Sequence, residues 1–279
     1  TGAALASLFN IQEDRRKLLD IDLGFNWGDS QIYTLIDEII ESEGIGEQLA
    51  RGEAYLYQQT SEPSPMIKNQ MGGMFYYPNI LGLSLSTGIS PYGASNFRSD
   101  NMIFPELLGI PFELNPRYSR GKARAVIFFE NFHAILDSLV ICSRFLPLLL
   151  GEHRIFSWLP KNIRRRLYQF LPNPFIGSIG LELKTLLHLL QDENDNGMTF
   201  RNLIKIGNRI TLLERIFNSR MGMEREEDSF NNYLKKRPDF FKQHDKLISK
   251  YYSMKGLTSR GLVRKQSLKK TGLLGLITI

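Results

Sequence analysis

The chain has 279 residues, 42% of them hydrophobic and 23% charged, with a formal net charge of +6. This is enough apolar material for a sizeable core, and too ordinary a composition for a disordered, collagenous or coiled-coil chain. The 12 prolines and 23 glycines are scattered without a repeat, which sets solenoids aside, and a single cysteine, Cys142, excludes an intrachain disulfide.

Helical periodicity dominates in chain order. Residues 3–19 read as a helix, followed by turn chemistry over 20–28. Ile32, Leu35, Ile36, Ile39 and Ile40 recur at i, i+3, i+4, i+7 and i+8 between Asp29 and Gly44, predicting an amphipathic helix, and a short helix follows from about Glu47. The proline-bearing stretch 61–65 is the clearest linker. Residues 71–93, rich in glycine, predict packed loop rather than regular structure. Over 121–144 the pattern is a helix too apolar for one exposed face, with Val126, Phe129, Phe132, Leu136, Leu139 and Val140 as buried candidates. A helix through Leu183, Leu186, Leu187 and Leu190 follows, then a long one from near Thr199, in which Leu203, Ile206, Ile210, Leu213 and Phe217 keep helical spacing up to Gly222. Strand signals of comparable strength are absent. The expected fold is mainly α, in two packed helical lobes, 1–65 and 66–279.

The most apolar stretch, 126–150, contains Glu130, His133, Asp137 and Arg144, so no membrane span is expected. The lone thiol fits a reducing, cytoplasmic compartment and cannot complete a cysteine-bound metal site by itself. The start, Thr1-Gly2-Ala3, lacks a methionine and a basic leader, as a fragment or processed chain would. No acid follows Asp245, whereas Lys246, Lys250, Lys255, Arg260, Arg264, Lys265, Lys269 and Lys270 do. This basic end, like Lys161 with Arg164, Arg165 and Arg166, reads as a solvated face, next as a dock for an acidic electron carrier, and only then as a nucleic-acid surface. Glu130 and His133 form one E-x-x-H, the half-motif that diiron bundles use twice; a single copy points to an ordinary solvated or core-edge pair.

The run Gly207-Asn208-Arg209-Ile210-Thr211-Leu212-Leu213-Glu214-Arg215-Ile216-Phe217-Asn218-Ser219-Arg220-Met221-Gly222-Met223, continuing through Arg225 to Asp228, resembles the signature of the tungsten-dependent aldehyde ferredoxin oxidoreductases. Three further segments agree in order: Thr1 to Ala6 with a family helix, Asp137-Ser138-Leu139-Val140-Ile141-Cys142 with its D-x-x-G-L-C, and Tyr251-Tyr252-Ser253-Met254-Lys255-Gly256-Leu257 with its Y-Y-x-x-R-G-W. The resemblance implies the family's two C-terminal helical domains, which close over a metal held by two pterin dithiolenes, tungsten or molybdenum, beside a [4Fe–4S] cluster. Asp137 then matches a pterin-binding aspartate and Cys142 the fourth cluster ligand. The other three cysteines would stand on an N-terminal domain or companion subunit, since such a cluster normally takes four thiolates.

The resemblance also carries departures. The family's R-G-A-C-H-x-R appears as Tyr92-Gly93-Ala94-Ser95-Asn96-Phe97-Arg98, so Asn96 occupies the candidate catalytic position of a metal-side histidine. An amide can donate a hydrogen bond there but cannot exchange a proton near neutral pH. Arg98 is kept and could pair with a pterin phosphate. Asp20 or Asp22 offers a partial match to the first pterin element, D-x-x-G-L. The implied function is the C-terminal part or split subunit of an enzyme oxidising aldehydes to carboxylates, with electrons leaving through the cluster to a ferredoxin-like carrier, in a possible oligomer. The alternative is a degenerate homologue that keeps the scaffold for assembly and no longer reacts.

Overall fold

The computed structural model describes residues 29–61, 67–68, 70, 80–93, 102–109, 113–142, 160, 163, 199–229 and 238–276. The chain divides into two compact units, Thr1–Met71 and Gly72–Ile279. In the first unit, α1 (Asp29–Glu41), α2 (Gly44–Ala50) and α3 (Glu53–Thr60) follow one another through tight turns. Leu35, Leu49, Leu56, Tyr57 and Ile67 are its buried large apolar residues among those described. The expected helix at 32–40 is present, while the short helix after it is two, α2 and α3.

The second unit holds α4 (Leu81–Ile89), a π-helical turn (Phe104–Leu108), α5 (Lys122–Ser138), α6 (Phe200–Arg220), α7 (Pro238–Lys255) and α8 (Lys265–Thr271), with 3-10 turns at Glu226–Asp228 and Leu274–Leu276. The described residues contain no strand, only the isolated bridges Ile67–Gln70 and Leu257–Val263. The fold is helical. None of the described helices is long and apolar enough to cross a membrane.

Helix α5 is the hub, packed against α4, α6 and α7. Val126, Phe129, Phe132 and Leu136 are buried, joined by Phe128, which stacks on Phe132 at a centroid distance of 5.9 Å. The helix stops at Ser138 rather than near 144, and Val140, an expected core residue, is 93% exposed.

Helix α4 corrects the expectation of loop over 71–93. Every residue from Leu81 to Ile89 is buried, so no amphipathic period exists to mark the helix in the sequence. Its glycines cost helix propensity, about 1 kcal/mol each, but allow close neighbours. A methyl on Gly82 would lie 2.6 Å from Glu106 Oε2, and one on Gly88 would lie 2.5 Å from the Asp228 carbonyl oxygen. The Glu106 carboxylate accepts from the Gly82 and Leu83 N–H groups at 3.0 and 2.7 Å, capping donors that a helix start leaves open, and pairs with Lys122 in the same dry interior. Burial pushes its carboxyl above the usual range, and Lys122 and the two N–H groups pull it back.

Helix α6 starts where Thr199 Oγ1 accepts from the Asn202 N–H at 3.2 Å and ends before Gly222. Its buried side runs through Leu203, Gly207, Thr211 and Leu212, whereas Ile206, Leu213 and Phe217 are exposed. The small residues explain the choice of face: a methyl on Gly207 would lie only 2.1 Å from the Asn131 carbonyl oxygen of α5. Replacing Gly207 by Ala should force the two helices apart and lower stability by about 2 kcal/mol. Urea denaturation measures this, and an unchanged midpoint would contradict the close crossing.

Candidate functional site

Two regions of the second unit gather chemistry. The first is the end of α5. Val140 N–H donates to the Asp137 carbonyl at 3.1 Å, and Ile141 N–H donates back to the Leu136 carbonyl at 2.9 Å. This is the hydrogen-bond pattern of a Schellman stop, which requires a left-handed residue just past the cap. That residue is Val140, at φ +59°. A β-branched side chain in this conformation is strained by about 1–2 kcal/mol. The stop folds the chain so that Asp137, in the last turn, and Cys142, just beyond it, are both exposed. His133 Nε2 stands 3.3 Å from Asp137 Oδ1, and the Asp137 side chain keeps 45% of its accessible surface.

Asp137 and Cys142 thus flank one helix stop. Asn96, Arg98, Asp20 and Asp22 lie outside the described residues. Glu130 and His133, one helical turn apart, serve different partners, Glu130 meeting Tyr251 and Lys255 while His133 meets Asp137. Among the described residues no group of three His, Cys, Asp or Glu side chains could hold a metal ion. His244 is fully buried, stacked on Phe240, and burial holds its imidazole down at about 4.

The second region is a narrow cleft where α4, α5, α6 and α7 meet. Its walls are the last turn of α4, Pro91, Glu130, the middle of α6 and Tyr251. Behind it lie two charge networks built on neighbouring tyrosines. Tyr251 donates to the Glu130 carboxylate at 2.8 and 3.0 Å. Lys255 Nζ reaches Glu130 Oε1 at 2.5 Å, and Asn131 Oδ1 and Thr211 Oγ1 at 2.7 Å each, one acceptor for each ammonium proton. Lys255 is therefore a buried linker of three helices and not part of the exposed basic end. In the second network Arg215 pairs with Asp228 at 2.5 Å and donates to the Gly261 carbonyl at 2.7 Å, while Tyr252 donates to Asp228 at 2.6 Å. Burial and the adjacent carboxylates push both phenols up, Tyr251 beside Glu130 and Tyr252 beside Asp228, so each stays a donor. Sequence reasoning missed these networks because their members come from α5, α6, α7, the 3-10 turn at Asp228 and the loop at Gly261, which no local period links. The available signal was that Arg215, Asp228, Tyr251 and Tyr252 all fall within the segments quoted above.

Comparison with known proteins decides the family. The profile described as "Aldehyde ferredoxin oxidoreductase, domains 2 & 3" matches residues 1–273. The chain belongs to the aldehyde ferredoxin oxidoreductase family. Similar relatives are the tungsten-containing aldehyde ferredoxin oxidoreductases of Pyrococcus furiosus, 24% identical, and of Thermococcus kodakarensis, 23% identical, each aligned over 98% of this chain. The chain spans 42% of the length of these relatives. Among solved structures, the active site complex BamBC of benzoyl coenzyme A reductase, in complex with 1,5 dienoyl-CoA, shares the fold. The TM-score is 0.54 at 19% identity, covering 99% of this chain and 45% of that one.

Within the aldehyde ferredoxin oxidoreductase pattern D-x-x-G-L-C, glycine occupies the position of Val140. The left-handed backbone there explains a glycine physically. Val140→Gly should therefore raise stability by about 1 kcal/mol. A fall in the denaturation midpoint would contradict the Schellman geometry.

Proposed function

We propose that this chain is the helical, cofactor-facing part of a tungstopterin oxidoreductase that converts aldehydes to carboxylates. The observation that carries the reading is the turn at the end of α5, with Asp137 and Cys142 both exposed, in a chain matched to the family from residue 1 to 273. The donor set fits the group. Asp137 is an exposed carboxylate, able to accept hydrogen bonds from pterin ring nitrogens, and Cys142 is an accessible thiol able to give one thiolate to a [4Fe–4S] cluster. The remaining three thiolates fall to an N-terminal domain or companion subunit, in keeping with the 42% share of the relatives' length.

Bound there, the metal, tungsten or molybdenum, with its pterins would supply two-electron oxidation, and the cluster the route for electrons to a ferredoxin-like carrier. The protein's own part is binding and orientation. Asp137 fixes the pterin, and the His133 contact steadies that carboxylate. Arg98 pairs with a pterin phosphate, and Asp20 or Asp22, at the first pterin element, holds the other pterin. Asn96 donates a hydrogen bond to the aldehyde oxygen and moves no proton. Exposed Lys246, Lys250, Lys265, Lys269 and Lys270 on α7 and α8 favour an acidic carrier. The single thiol suits a reducing compartment, and the proposed complex is cytoplasmic and oligomeric.

Cys142→Ser, in complex purified anaerobically, should abolish or markedly alter the electron paramagnetic resonance signal of the reduced cluster while Asp137 still retains the pterin. An unaltered signal would overturn the ligand assignment.

A further inference from the structure

The cleft at the junction of α4, α5, α6 and α7 holds polar groups that the fold does not use. Ser86 lies in a helix with no exposed face and is only 6% exposed, yet lines the cleft. Among the described residues its hydroxyl has no hydrogen-bond partner. Asn218 also lines the cleft. Its amide nitrogen donates to the Pro91 carbonyl at 3.0 Å, which fixes the side chain and leaves Oδ1 with no partner among the described residues. Glu130 lines it as well, oriented by Tyr251 and Lys255 and with lone pairs to spare.

These three groups define a ligand. A carboxylate and an amide oxygen call for donors, and a serine hydroxyl takes either role. Hydroxyl groups meet all three demands. A cation gains little, because Arg215 lines the same cleft and Lys255 backs Glu130. An anion meets Glu130 and Glu214. The space is about 30 Å³, room for two or three water molecules at about 10–15 Å³ each, so only a short segment of a ligand is enclosed. Pro91, pinned by Asn218, also begins the strand of sequence that reaches Asn96 five residues later.

We propose that this cleft binds a small, uncharged, hydroxylated molecule, of two or three carbons or the end of a longer polyol. Binding of hydroxyl groups rests on the cleft alone.

Saturation-transfer NMR on the full chain tests this with glycerol as probe, and 1-propanol and methylammonium as comparisons. Glycerol should bind saturably, at least tenfold more tightly than either comparison. Ser86→Ala, which adds a good helix former and removes one hydroxyl, should weaken glycerol at least fivefold without lowering the melting temperature. Ser86→Val, filling the same space, should abolish binding. No saturable glycerol binding, equal binding of 1-propanol, or equal binding by Ser86→Ala would overturn the proposal and show a cleft filled by water only. None of these results bears on metal content, and a metal-free chain would leave glycerol binding as predicted.

Discussion

The second unit depends on one crossing, where α5 and α6 approach until Gly207 meets the Asn131 backbone. At that distance no side chain separates the helices, and the polar groups of Asn131 and Thr211 are brought into the interior, where an unmet hydrogen bond costs about 1–3 kcal/mol. Lys255 answers the need from a third helix, α7, and its own charge is met by Glu130. Removing one partner of such a set leaves a buried charge, at a cost of about 3–5 kcal/mol. The network therefore fixes which faces of α5, α6 and α7 meet.

That junction sets the orientation of both chemical regions. Because α5 is held on three sides, its C-terminal turn has a defined direction, and the Schellman stop sends Asp137 and Cys142 outward rather than into the core. The same junction leaves the polar cleft at its edge, with Glu130 serving both as counter-ion to Lys255 and as cleft wall. The second network, Arg215, Asp228 and Tyr252, ties the 3-10 turn and the Gly261 loop to α6. Together the two networks account for the side-chain chemistry of a segment that sequence comparison reads only as a signature.

Helices with an apolar period were legible in the sequence, α1 through Leu35 and α6 from Thr199 to Gly222, and α5 was legible as a run too apolar for one exposed face, through Phe129, Phe132 and Leu136. Helix α4 was not, since burial on every side erases the period and its glycines read as loop. Nor was the buried face of α6, where Gly207 and Thr211 outrank the larger Ile206, Leu213 and Phe217 because close approach needs small residues. The position of Val140 as a left-handed stop was concealed by its apolar side chain, which reads as core. Asp137 and Cys142 were singled out only through resemblance, as carboxylates and thiols carry no local pattern, and Asn96, Arg98, Asp20 and Asp22 rest on that resemblance too. Helix α7 was missed; its basic residues drew attention to charge and away from the buried run of Leu247, Ile248, Tyr251 and Tyr252.

The central claim is that a member of the aldehyde ferredoxin oxidoreductase family has kept its cofactor-facing turn for use. Elemental analysis of protein purified anaerobically from its native source, with any co-purifying polypeptide identified, tests it most directly. The account predicts about one tungsten or molybdenum and about four irons per chain, with the further cysteines on contiguous or companion sequence. A chain that purifies alone and free of metal would contradict it.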